Sequence, residues 1–404
     1  MSVAMAFTPN DSTSLAPLLD VTVDNLQHNA HQYQVGARDN GNPASAGENT
    51  EKYLQPMHLD DQQGQAKMRE MVQAKEKALE AKYPGITFAQ DGDKLGYQHK
   101  IGQDGNAVPT QEPVTAREPS LKELAGVEAA LATSDPSYKS TDGQPLHIQF
   151  PDKPMFKIDG QTGDYASFSP PDPEKPGTPS TMNIDMRAGD HQAATEKDVT
   201  DRGGDRNSVE SVVTHELAHA TQYHVNGLDQ HATYKTEAGW VPLKKHPAGR
   251  NDYALQGSDG KLYQPIPGSG GQIDWAKLEP NAGFDRNGDY KGAYIKDTKL
   301  VQGLDSPEAI LAHADHVTNL EMMKLAEVTP TTRYFKDPEE MMAEGLTDYR
   351  MNETSRAQLK HDSPKMYEAA KHLDQLELDT IYGVGKKTRL KDGTIGDASS
   401  PDII

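Results

Sequence analysis

The sequence contains no cysteine, which excludes disulfides and thiolate metal sites and leaves His, Asp and Glu to hold any ion. It is also short of basic charge: 41 Lys and Arg stand against 61 Asp and Glu, a formal net charge of −20. Binding a phosphate backbone requires a concentrated basic surface, so nucleic acid is not an expected partner. An acidic surface reads instead as solubility or as attraction for cationic partners. Aromatic residues make up 6% and hydrophobic residues 34% of the chain, so a compact core should occupy only part of it. No stretch approaches the roughly 18 apolar residues of a membrane span. The start, MSVAMAFTPNDSTS, lacks the basic segment and long apolar stretch of a signal peptide. A soluble protein with no conventional export signal is expected.

With 404 residues, 34 glycines and 27 prolines, the chain suggests two structured regions or one domain with large insertions. Residues 1–60 are polar, without apolar periodicity, and read as flexible. Residues 61–135 read as a helical and hairpin N-terminal region. Its first helix runs through DDQQGQAKMREMVQAKEKALEAKY, with Met68, Met71, Val72 and Leu79 at helical spacing. Short strands around Asp-Gly turns follow, then a Pro-containing linker at 105–120. A second helix starts at Ser120, whose capping-box partner is Glu123. The strand candidates LHIQF, FKIDG and MNIDM precede a helix SVESVVTHELAHATQYH, for which Asn207 and Glu210 supply capping signals. From 228 to 304 no long periodic element is visible, the mark of an insertion. Helices resume with SPEAILAHADHVTNLEMMKLAEV, DPEEMMAEGLTDYRM and SPKMYEAAKHLDQLELDTIY. Residues 384–404 read as a disordered tail, and the stretch from 136 to 383 as a single domain.

The chemistry-bearing motif is HELAH. Residues four apart on a helix lie one above the other, so His215 and His219 project from one face at a separation that a single tetrahedral Zn2+ can bridge. Glu216 leans beside that position and can act as general base toward a zinc-activated water. A catalytic zinc keeps one coordination position open, so a third protein ligand must come from elsewhere. Gly and His three and six residues beyond the second histidine would complete one known arrangement. Gln222 and Val225 stand there instead, and the spacing of His224 does not fit. A Glu on a downstream helix, followed four residues later by a second acid, completes another, and DPEEMMAEGLTDYR supplies that pair as Glu340 and Glu344. Asp337 as N-cap and Pro338 at the first helical position place the two glutamates one turn apart. Glu340 is then the third ligand, and Glu344 accepts an imidazole N–H. An arrangement with Asp348 as ligand stays open. His313 and His316, three apart, read as a solvated helix face. DRNGDYKG resembles a calcium loop only weakly, because Tyr290 takes the place of the turn glycine and Lys296 that of the bidentate acid.

HELAHATQY, followed by RYFKDPEEMMAEGLTDYRM and SPKMYEAAKHLDQLE, resembles the catalytic domain of anthrax lethal factor and related bacterial toxin metallopeptidases, the gluzincins. The resemblance covers about a quarter of the chain. It implies an α+β, zincin-like fold with a small mixed sheet before the motif helix and a mainly helical C-terminal part. It implies one Zn2+ on His215, His219 and Glu340, with Glu344 in support. A tyrosine that stabilises the oxyanion or protonates the leaving group corresponds to Tyr334, one residue nearer the ligand glutamate than in the family. The activity implied is peptide-bond hydrolysis by a bacterial effector or toxin acting on a protein or peptide. Specialised secretion is implied with it, and 1–60 would serve as a targeting or chaperone-binding segment. Two rivals remain: a zinc amide hydrolase acting on cell-wall peptides, and a non-catalytic, zinc-stabilised binding protein.

Overall fold

The structure is a computed structural model, and it describes residues 62–101, 107–134, 144–158, 166–172, 175, 177–184, 208–226, 233–244, 252–268, 273–296, 299–301, 303–327 and 338–401. The segment 1–60, read as flexible, lies outside them, as do Asn207, Tyr334 and Asp337. The architecture is mixed α+β, with a small mixed sheet ahead of the motif helix and several helices. The chain divides into two compact units.

The first unit takes in residues 62–132, 144–184 and 208–213 of those described. Helix α1 (Gln62–Lys82) buries Val72, Lys75, Glu76 and Leu79, the i, i+3, i+4, i+7 stripe of an amphipathic helix. Two of those four are charged. Lys75 pairs with Glu128, which also accepts from Lys82 at 2.9 Å. Glu76 is different: burial, with Glu80 and Glu118 adding like charge, pushes its pKa up to about 7.

Next come β1 (Ile86–Phe88), β2 (Lys94–Ile101), β3 (Ala107–Thr115), helix α2 (Leu121–Ala132), β4 (Leu146–Gln149), β5 (Phe156–Ile158), β6 (Ala166–Ser169) and β7 (Thr181–Ile184). The expected capping box opens α2, with Ser120 and Glu123 bonding each other's backbone N–H. One sheet has the order β1-β4-β7-β6, parallel except for β6, and a second has the order β3-β2-β5. Two expectations need correction here. The linker expected at 105–120 contains β3. Its Pro109 and Pro113 disguise it, yet an edge strand tolerates proline because one side of its backbone needs no partner. The boundary drawn at 135/136 also fails, since β1 from one side of it and β4 from the other pair in a single sheet. The division falls instead within helix α3 (Ser208–Asn226), between Val213 and Thr214.

The second unit holds the rest of α3 and the elements C-terminal to it: α4 (Thr233–Glu237), β8 (Trp240–Pro242), β9 (Tyr253–Gln256), β10 (Leu262–Pro267), β11 (Ile273–Lys277), β12 (Ile295–Lys296), β13 (Lys299–Leu300), α5 (Pro307–His313), β14 (His316–Thr318) and α6 (Asn319–Leu325). Residues 228–304 are therefore not an irregular insertion. They carry four strands of an antiparallel sheet ordered β14-β11-β10-β9-β8. Trp240, Tyr253 and Trp275 from that sheet share one core with Met341, Met342 and Leu346. The single helix expected across 306–328 is broken in two. Ser306 caps α5, and Thr318 with Glu321 forms a complete capping box that starts α6. Between them the chain extends as β14 and pairs with β11.

Three helices complete the unit's helical part: α7 (Pro338–Met351), α8 (Glu353–Asp362) and α9 (Pro364–Tyr382). Gly345 lets α7 and α9 approach closely, because a Cβ there would lie 2.4 Å from Met366 Sδ. The tail expected to be disordered instead forms a hairpin of β15 (Lys387–Arg389) and β16 (Ile395–Asp397). Gly393 in its turn has φ +91°, and a Cβ there would meet the Arg350 carbonyl oxygen at 2.5 Å. Among the described residues no helix is long and apolar enough to cross a membrane.

Candidate metal centre

Helix α3 buries Leu217, Ala218, Ala220 and Thr221 and leaves the two motif imidazoles partly accessible, with side-chain exposures of 13% for His215 and 16% for His219. The rings meet edge to face, their centres 4.9 Å apart. Glu340, in the first turn of α7, completes the group. Its Oε2 lies 3.1 Å from His215 Nε2 and 3.6 Å from His219 Nε2, and the two Nε2 atoms are 3.2 Å apart. A tetrahedral zinc with bonds of about 2.0–2.2 Å needs its donors roughly 3.3–3.5 Å from one another. Each edge of the triangle of two imidazole nitrogens and one carboxylate oxygen comes within about 0.2 Å of that requirement. Among the described residues it is the only convergence of three or more potential ligands.

Glu344 sits one turn beyond Glu340, with Oε1 3.5 Å from His215 Nδ1. A carboxylate there favours a proton on Nδ1 and so leaves the Nε2 lone pair facing the triangle. Burial disfavours a charged His215, but hydrogen bonding to Glu340 and the charges of Glu344, Glu340 and Glu216 outweigh it and push its pKa up to about 10. Burial likewise opposes a charged Glu340, yet His215 and His219 hold its carboxyl well below the usual carboxylate range. Glu216 is buried, close enough for its charge to act on His215.

Comparison with protein-family models, with curated proteins and with solved structures gives no match. The reading of the site therefore rests on its own residues.

The structure brings His215, His219 and Glu340 together and puts Glu344 beside them. Tyr334 lies outside the described residues. Asp348, the alternative ligand, is not part of the group and accepts a hydrogen bond from Ser355 at 3.4 Å. His313 and His316 do not share a helix, since one ends α5 and the other begins β14. His224 lies outside the ligand group. In the weak calcium-like loop, Asp285 Oδ1 accepts the backbone N–H groups of Asn287 and Asp289, as in an ordinary turn.

Sequence reasoning missed the residues that hold the two helices carrying the candidate ligands in register. Thr221, two residues past His219, accepts from Arg350 of α7 at 3.0 Å and donates to Glu377 of α9 at 2.9 Å. Arg350 also pairs with Glu377 and, at 2.8 Å, with Asp374, while Arg389 of the hairpin takes the other side of Asp374 at 3.0 Å. The available signal was a pair of acids, Asp374 and Glu377, three apart within the apolar stripe of Ala370, Leu373 and Leu378.

Proposed function

We propose that the chain is a zinc-dependent metallopeptidase of the gluzincin type on a zincin-like fold, hydrolysing peptide bonds in a protein or peptide substrate. The observation that carries this reading is the donor triangle of His215, His219 and Glu340, with edges of 3.1, 3.2 and 3.6 Å. Zinc held there would supply Lewis acidity to the scissile carbonyl and to the attacking water. The protein's own groups do the rest. Glu344 orients His215 through Nδ1, and Glu340 contributes the negative charge that makes the site selective for a cation. Glu216 takes the proton from the attacking water and passes one to the departing amine nitrogen. Partial exposure of the ligands, 29% for the Glu340 side chain, supports a site open to substrate over a closed structural one.

The test is metal analysis together with cleavage by the full chain and its Glu216→Gln form. The wild type should hold one zinc per chain and the variant should keep it, while turnover falls by about 10²–10⁴. Mass spectrometry of a protein digest would then give the new termini made by the wild type alone. Absence of zinc from the wild type, or equal cleavage by both forms, overturns the reading. Cleavage confined to peptidoglycan stem peptides would instead select the cell-wall amide hydrolase.

A further inference from the structure

Glu340 reaches both imidazoles only while the first turn of α7 is held against α3, and the residue before it is gripped from two directions. Gln222 stands on the ligand face of α3, three residues past His219 and seven past His215. It is fully buried, and its Nε2 donates to the Glu339 backbone carbonyl at 2.9 Å. In a helix that carbonyl is already committed to the N–H four residues on, so the amide adds a second bond to an acceptor that does not need one. The Glu339 side chain accepts from Lys235 Nζ of α4 at 2.7 Å. Lys235 is 1% exposed, and a charge buried so deeply is costly without a paired partner. Backbone and side chain of Glu339 are both fixed.

We propose that Gln222 and Lys235 are positioning residues for the metal, clamping Glu339 so that the carboxylate of Glu340 stays on the donor triangle. The inference rests on the metallopeptidase reading and names two residues which that reading does not use. Productive ligand geometry tolerates displacements of about 0.5 Å, and a first helical turn, free of the full intrahelical bonding of the interior, is where such displacement begins. The clamp acts at that turn.

The measurement is zinc affinity of the full chain by chelator competition, with the visible spectrum of the Co2+ form as a second readout. Gln222→Met keeps length and removes the donor. It should weaken zinc by about 10–100-fold and alter the cobalt spectrum, with the metal-free melting midpoint unchanged. Lys235→Met leaves the part-exposed Glu339 carboxylate without its partner and should also unsettle the fold, so it is paired with Lys235→Met/Glu339→Met, which removes both charges. The double variant should regain the metal-free melting midpoint and keep the weakened zinc affinity. Wild-type zinc affinity in Gln222→Met, or its return in the double variant, assigns these contacts to stability alone and overturns the proposal. Failure of the underlying reading looks different: Glu340→Gln would then bind zinc as the wild type does.

Discussion

Two clusters of ionisable groups described in the second unit are built on opposite plans. In the first, Arg350 and Arg389 face Asp374 and Glu377. The guanidiniums balance the carboxylates, Thr221 and the Gly393 carbonyl take further hydrogen bonds, and every member is essentially inaccessible. In the second, the carboxylates of Glu216, Glu340 and Glu344 surround His215, with His219 as the other imidazole. Negative charge is in excess there unless a proton or a cation is taken up, and all but the buried Glu216 remain partly accessible. Charge balance and access to solvent separate a support from a site.

Substitutions can break that contrast. The largest effect is expected from Arg350→Met, which leaves Asp374 and Glu377 buried with half their compensation. Stability should fall by about 3–5 kcal/mol, read from chemical denaturation of the metal-free chain, and a loss below about 1 kcal/mol would mean the cluster is not closed. In the open cluster, Glu344→Gln should cost about 10–100-fold in zinc affinity with little change in metal-free stability, measured by chelator competition and denaturation side by side. A comparable loss of stability would place Glu344 with the supports.

The smallest effect sharpens the comparison from the first unit. Glu76 has its pKa raised from an ordinary 4.5 to about 7. The folded chain binds more protons than the unfolded chain between those values, so this group's contribution lowers stability as pH rises from 4.5 to about 7 and is level above. Glu76→Gln should therefore melt higher than the wild type at pH 8, by the equivalent of about 1–3 kcal/mol, and match it near pH 4. Equal melting at both pH values would show that the carboxyl finds compensation when folded.

The candidate ligand set was legible in the sequence because a helix converts spacing directly into a face. His215 and His219 on one helix, and Glu340 and Glu344 on another, needed only the rise and turn of the α-helix to be paired. The absence of cysteine narrowed the donors further. The sheet of the second unit was not legible, since strands of three to six residues leave too little alternation to read, and β14 reaches its partner from beyond a helix. The break before α6 was written as Thr318 and Glu321, a start signal hidden within a continuous helical pattern. Arg389 gave no sign of burial, because its partner Asp374 sits on another element.

His215 and Glu340 lie 125 positions apart along the chain, and Thr221 and Arg350 lie 129 apart. Closing such long loops costs chain entropy before any contact rewards it, so these pairings are expected among the slower steps of folding. An ion that binds all three donors therefore recognises only the finished chain. Its concentration would be a thermodynamic variable of folding, worth about 2.7 kcal/mol when free metal stands at a hundred times its dissociation constant. A cell's supply of metal would then govern how long the molecule lasts as well as whether it works.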